Sequence, residues 1–238
     1  MSLIQGNVSD HFLITRLICF LHLACDHTSP LQELITERQN RRDVYFKDHA
    51  VNDDNICLLA EASKTNKNIW EELNLWNNAL GPDSAVYINQ ILENGRLRYI
   101  HLGRNLLGYE GLSQLQALKR TRSLTELDLW DNHVGDRGMR FLAQVLPHTR
   151  LARLNLGVNE IGNTGCKLLF PNLPNTLTKL DLFGNHIGES CLYSIKNAIS
   201  EGFLRELNLG GEQSALWSEK SKQELKDVAK DNECRLKL

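Results

Sequence analysis

Residues 124–161 read LTELDLWDNHVGDRGMRFLAQVLPHTRLARLNLGVNEI and contain one unit twice. Leu127, Leu129, Asn132 and Val134 form the pattern LxLxxNxh, where h is aliphatic. Leu154, Leu156, Asn159 and Ile161 repeat it 27 residues later. Between the two copies, Gly135-x-x-Gly138 opens a segment whose apolar residues, Leu142 and Leu146 among them, follow the helical spacing. The leucine pair alternates with period two, so each unit reads as a short strand followed by a helix.

The unit extends in both directions. Leu73-Leu75-Asn78-Leu80 and Ile100-Leu102-Asn105-Leu107 precede it, and Leu180-Leu182-Asn185-Ile187 follows. A sixth copy, Leu207-Leu209, carries Glu212 in place of the asparagine. One strand and one helix cannot bury an apolar face alone, so neighbouring units must stack into a continuous core. The expected fold is an α/β curved solenoid, a horseshoe with parallel strands on the concave face and helices on the convex face. The asparagine amide both donates and accepts; stacked copies predict a ladder that satisfies backbone groups where the chain leaves each strand.

The LxxLxLxxN strand, the GxxG helix start and the repeat length over about residues 69–212 resemble the ribonuclease-inhibitor-like class of leucine-rich repeats. That class also occurs in NOD-like receptor repeat domains and in the Ran GTPase-activating protein. The resemblance implies the horseshoe fold and a protein-binding role, but it is weak evidence for any one function, since the fold hosts inhibitors, sensors, effectors and activators.

Three segments are expected. Residues 1–43 form an N-terminal capping segment, with the apolar run FLITRLICFLHLA at 12–24 read as a buried helix; the run is short of the roughly 20 residues that span a bilayer. Residues 44–212 hold one degenerate repeat at Val44-x-Phe46, five full repeats and one frayed repeat. Residues 213–238 form a cap, with a helix over 221–230 and an edge strand at Leu236-x-Leu238.

The net charge of −2 among 27 basic and 29 acidic residues gives no reason to expect a nucleic acid or an anionic membrane as partner. The cysteines, Cys19, Cys25, Cys57, Cys166, Cys191 and Cys234, are irregularly spaced. They read as free thiols acting as small hydrophobes in a reducing compartment rather than as a disulfide framework. The expected location is therefore cytoplasmic, or host cytosol for a secreted microbial effector. No phosphate loop, HExxH, GxSxG or paired-cysteine zinc spacing occurs, and no cofactor, metal or conventional enzyme chemistry is expected. His133 and His186 lie two repeats apart, too distant to share a metal.

Side chains flanking the strand leucines face the concave surface. The position after the second leucine runs Trp76, Gly103, Trp130, Gly157, Phe183, Gly210. Aromatics on every second strand are expected about 10 Å apart, with glycine slots between them. Tyr99, Glu126, Arg153 and Lys179 stand before the first leucine; His101, Asp128 and Asp181 stand between the leucines; Arg104 and Asp131 follow the aromatic column. Exposed aromatics in a row have the composition of an interface hot spot. Glu126, Asp128 and Asp131 around Trp130 suit a partner presenting Lys or Arg, although internal ion pairs on a solvated face account for the same residues. The expected function is a protein-binding module that recognises, sequesters or inhibits its partner, as a monomer or a heterodimer with its target. A GTPase-activating protein, with Arg104 near the rim, and a sensor or effector fragment are the alternatives.

Overall fold

The computed structural model describes residues 29–65, 70–94 and 96–238. Among the described residues, eight three-residue strands alternate with helices. They are β1 (Asp43–Tyr45), β2 (Glu72–Asn74), β3 (Tyr99–His101), β4 (Glu126–Asp128), β5 (Arg153–Asn155), β6 (Lys179–Asp181), β7 (Glu206–Asn208) and β8 (Arg235–Lys237). The helix α1 (Pro30–Arg38) precedes β1. Between strands come α2 (Cys57–Thr65), α3 (Ala85–Asn94), α4 (Gly108–Gln114), α5 (Gly135–Val145), α6 (Asn163–Leu169), α7 (Leu192–Ser200) and α8 (Glu219–Asp231), several continued by short 3-10 turns.

All eight strands join one open parallel sheet in sequence order. The register puts repeat position on repeat position: Leu73 pairs with Ile100, Leu127 with Leu154, and Leu180 with Leu207. From β1 to β7 both apolar residues of each pair point inward and are essentially inaccessible, as Leu127 and Leu129 show at 1% and 0% exposure. The helices close the opposite side; α5 contributes the buried Met139, Phe141, Leu142 and Val145. The fold is the expected leucine-rich-repeat solenoid.

The asparagine ladder is present and buried. Asn159 accepts from the backbone N–H groups of Asn132 (3.0 Å) and Val134 (3.2 Å) and donates to the carbonyls of Leu129 (2.7 Å) and Gly157 (3.0 Å). Asn185 does the same for Asn159 and Ile161, and donates to Leu156 and Leu182. Each rung thus ties its own turn to the repeat before it, because the amide offers both hydrogen-bonding senses at one site. At the far end, Glu212 starts a 3-10 turn and supplies no rung. Trp217 closes the end instead: it is buried, and its indole N–H donates to the Ile187 carbonyl at 3.0 Å.

The ends need helices with their own caps. Ser218 accepts from the Ser221 N–H at the start of α8, and Ser29 accepts from Gln32 at the start of α1 with Pro30 in the first turn. The C-terminal helix and β8 match the expected cap, with Leu236 in register with Leu207. Helix α1 lies in the stretch before β1, where no helix beyond residue 24 is expected from the pattern. The apolar run at 12–24 lies outside the described residues. The cysteine expectation needs correction: Cys166, Cys191 and Cys234 are free and buried, but Cys57 is disulfide-bonded.

Candidate protein-binding face

The outward side of the sheet carries three columns of side chains, because alternate strand residues face opposite ways. At the strand ends, the residue two beyond the second leucine is left-handed in every repeat: Asn77, Arg104, Asp131 and Val158 have φ of 53°, 53°, 51° and 52°, and Gly184 and Gly211 continue the row. Since the conformation recurs whatever the side chain, it belongs to the turn out of the strand. For Arg104 and Asp131 it is no mark of function.

The aromatic column departs from its expected form. A Cβ on Gly103 would stand 2.2 Å from the Trp76 ring, and one on Gly157 would stand 2.3 Å from the Trp130 ring. The indoles therefore lie across the glycines of the following strands, and the expected slots are filled. Glycine alternates with tryptophan because only a residue without Cβ lets the ring down onto the backbone. Leaning forward also brings Trp130 to Phe183, with centroids 5.6 Å apart and planes 17° from parallel, in place of the expected spacing near 10 Å. Trp76 and Trp130 are half-buried, and Phe183 is exposed at 37%.

The middle column has a backbone role that the sequence reading missed. Asn74, Asp128, Asn155, Asp181 and Asn208 each accept, through Oδ1, the backbone N–H two residues ahead, at 2.9 to 3.1 Å. A carboxylate or amide on a short stem is what such a turn needs. Asp181 uses its other oxygen to accept from Asn208 Nδ2 at 2.9 Å, so both its oxygens serve the sheet. Its recurrence in the column, Asn or Asp at five of six repeats, is the signal that could have found this role.

Charged candidates are paired across strands. Arg153 meets Glu126 at 3.1 Å, and Arg104 meets Asp131 at 3.8 Å. Lys179 and Lys237 converge on Glu206 at 3.2 and 3.1 Å, and together, Lys237 foremost, they hold its carboxyl below the usual range. His101 replaces the turn-forming Asn or Asp on β3 and lies between Glu72 (3.5 Å) and Asp128 (3.7 Å). The Asp128 carboxylate raises the imidazole above its ordinary value, against the opposing effect of burial. Arg98 places its guanidinium 5.4 Å from the centre of the half-buried Tyr99 ring. The acidic centre around Trp130 is thus resolved into ion pairs. In these Arg and Lys pairs the cations reach solvent more than the anions: Arg153 is 56% exposed against 22% for Glu126, and Lys179 49% against 24% for Glu206.

A depression of about 210 Å³ lies over β3 to β7, bounded by His101, Asp128, Arg153, Lys179 and Glu206. It gathers His101, Glu126, Asp128, Arg153, Lys179 and Asp181 in one place, while the aromatic column runs along the strand ends beside it. Among the described residues, no group of three or more His, Cys, Asp or Glu is placed to hold a metal ion, and no helix is long and apolar enough to cross a membrane.

A sequence model described as "Leucine Rich repeat" matches residues 121–143 and 174–192. No curated relative matches the sequence. Similar solved structures include the actin-binding site 2 of leiomodin-1, at 16% identity over 87% of this chain and 91% of that one, with a TM-score of 0.44. Rad7 in its yeast complex with Elc1 is similar at 14% identity, over 94% and 84% of the two chains, with a TM-score of 0.41. An internalin from Listeria monocytogenes is similar at 22% identity over 56% of this chain and 33% of its own, with a TM-score of 0.37. At these scores, what those proteins bind says nothing of what this chain binds. Its repeats, its asparagine ladder and its parallel sheet make the fold a leucine-rich-repeat solenoid, and the sequence model matches two stretches of it.

Proposed function

We propose that the chain is a protein-binding module that receives its partner on the strand face, concave in this fold class, and acts as a monomer or in a one-to-one complex. The observation that carries this reading is the stacked, partly accessible Trp130–Phe183 pair, on the same face as Arg153 and Lys179. Burying an aromatic platform of this kind supplies most of the energy of many interfaces. The charge pairing shifts the partner's expected chemistry. The carboxylates are engaged inside the face, and the cations extend outward, so the fitting segment is an apolar or aromatic group with acidic neighbours.

No specific observation favours a GTPase-activating role, since Arg104 is tied to Asp131 in a turn common to all repeats. The test is capture from the native cell with the wild-type chain, followed by affinity measurements on what is captured. Trp130→Ala and Phe183→Ala should each weaken binding by about 2 kcal/mol, the scale of a hot spot, with unchanged far-ultraviolet circular dichroism. Equal affinity for both variants and wild type overturns the proposal.

A further inference from the structure

The outward positions of the strands change charge partway along the sheet. In each of the eight strands these two positions flank the inward residue and reach solvent. On β1 to β4 they carry four carboxylates, Asp43, Glu72, Glu126 and Asp128, and no lysine or arginine. On β5 to β8 they carry four cations, Arg153, Lys179, Arg235 and Lys237, against the two carboxylates Asp181 and Glu206. A chain nearly balanced overall, at a net charge of −2, is thus divided on this face.

The neighbouring rows leave the division in place. Just before the strands, Arg42 pairs with Glu71 at 3.1 Å and Arg205 with Glu233 at 3.6 Å, which leaves Arg98, over the Tyr99 ring, as the added cation. At the strand exits Lys47 stands beside Asp48, and Arg104 meets Asp131 at 3.8 Å. Titratable groups feel the two signs. In the first half Asp128 raises His101, and burial, then Glu72 and Asp43, raise the Tyr45 hydroxyl. In the second, Lys237 and Lys179 hold Glu206 down. The halves meet where Glu126 pairs with Arg153 across β4 and β5 at 3.1 Å. Strands stand about 4.8 Å apart, so the centres of the halves lie about 19 Å from each other. That exceeds the screening length of about 8 Å at physiological salt, so each half acts on its own part of a partner.

We propose that the strand face orients its partner by charge: the bound segment carries Lys or Arg over β1–β4 and Asp or Glu over β5–β8. Its apolar group rests on Trp130 and Phe183, which stand just beyond the ends of β4 and β6 and so straddle the boundary. This inference rests on the strand-face reading above and narrows it, confining the acidic neighbours to one side. Reversing the segment sets like charges against each other, the arrangement that rejects a wrong partner. The eight strands span about 34 Å, so an extended segment of about 10 residues covers both halves.

The probe is a peptide of four lysines, Ser-Trp-Ser and four glutamates, titrated into the full chain at about 50 mM salt and followed by NMR. Two control peptides carry lysine, or glutamate, in both blocks. The mixed peptide should bind about tenfold tighter or more than either control. A nitroxide on its lysine end should broaden the amides of residues 72–74 and 126–128 more than those of 179–181 and 235–237. One on its glutamate end should do the opposite. A control that binds as tightly as the mixed peptide overturns the inference and leaves the aromatic platform standing. Labels that broaden both halves alike, or no binding by any peptide, overturn it as well. A Trp130→Ala/Phe183→Ala variant tests the platform separately: unchanged affinity with the orientation kept supports the orientation by charge and defeats the platform.

Discussion

Replacing Asn159 by leucine tests whether burial of the ladder, rather than the number of its bonds, holds the repeats together. Asn159 has no solvent exposure. Its loss leaves the N–H groups of Asn132 and Val134 and the carbonyl of Leu129 without this partner. The Gly157 carbonyl still accepts from Asp131 at 2.9 Å. Each buried group left unmet costs about 1–3 kcal/mol, and burial of the new side chain returns about 2 kcal/mol. With three such groups the net loss expected is about 4 kcal/mol at the middle of these ranges, a large share of an ordinary domain's stability. Asn78 makes equivalent bonds to His49, Val51 and Phe46, but it is only half-buried. Water can replace its amide, so Asn78→Leu should cost about 1 kcal/mol. Urea unfolding followed by circular dichroism measures both. Equal losses at the two positions would refute the reasoning, because they would show that access to water does not set the cost.

Further expectations follow from the turns and from the face. Val158 is β-branched at a φ of 52°, so Val158→Gly relieves about 1–2 kcal/mol, less about 0.5–1 for glycine's unfolded freedom; a lowered urea midpoint contradicts this. Gly157→Ala forces the Trp130 ring off the backbone and costs about 1–3 kcal/mol; an unchanged near-ultraviolet dichroism spectrum rules out the ring's placement. His101 should titrate above an ordinary histidine by NMR, and Asp128→Asn should bring it down. Because its folded value is raised, its stabilisation is complete below the unfolded value of about 6.5 and is lost as pH climbs through the folded value. The gap in urea midpoint between wild type and His101→Gln should therefore be wider at acidic than at alkaline pH.

The strands, their order and the ladder were legible because a two-residue alternation and a repeated asparagine each have one physical solution. Leu127 and Leu129 had to face inward, and Asn132 had to answer backbone groups in the turn. Cross-strand ion pairs were legible in principle, since Glu126 and Arg153, or Lys179 and Glu206, stand one repeat apart. The tilt of Trp130 was not, because it depends on the absent Cβ of Gly157 and the reach of Phe183, both on later strands. Nor was the closure by Trp217, which stands outside the periodic positions and packs by tertiary contact alone. Asp128 and Asp181 suggested a binding surface by their charge, while their column, shared with Asn74 and Asn155, pointed to the backbone.

The register of the sheet carries one more consequence. Partner residues on neighbouring strands stand 29, 27, 27, 27, 26, 27 and 29 positions apart, yet every pairing is unshifted. From the first strand leucine to the ladder asparagine the distance never varies, so changes in length fall entirely in the helical half of the repeat. Insertions and deletions can accumulate along the outer rim without disturbing the order of side chains offered to a partner. A fused tag or graft belongs there, and lineages of this chain should differ in length on that rim while keeping the strand segment at constant size.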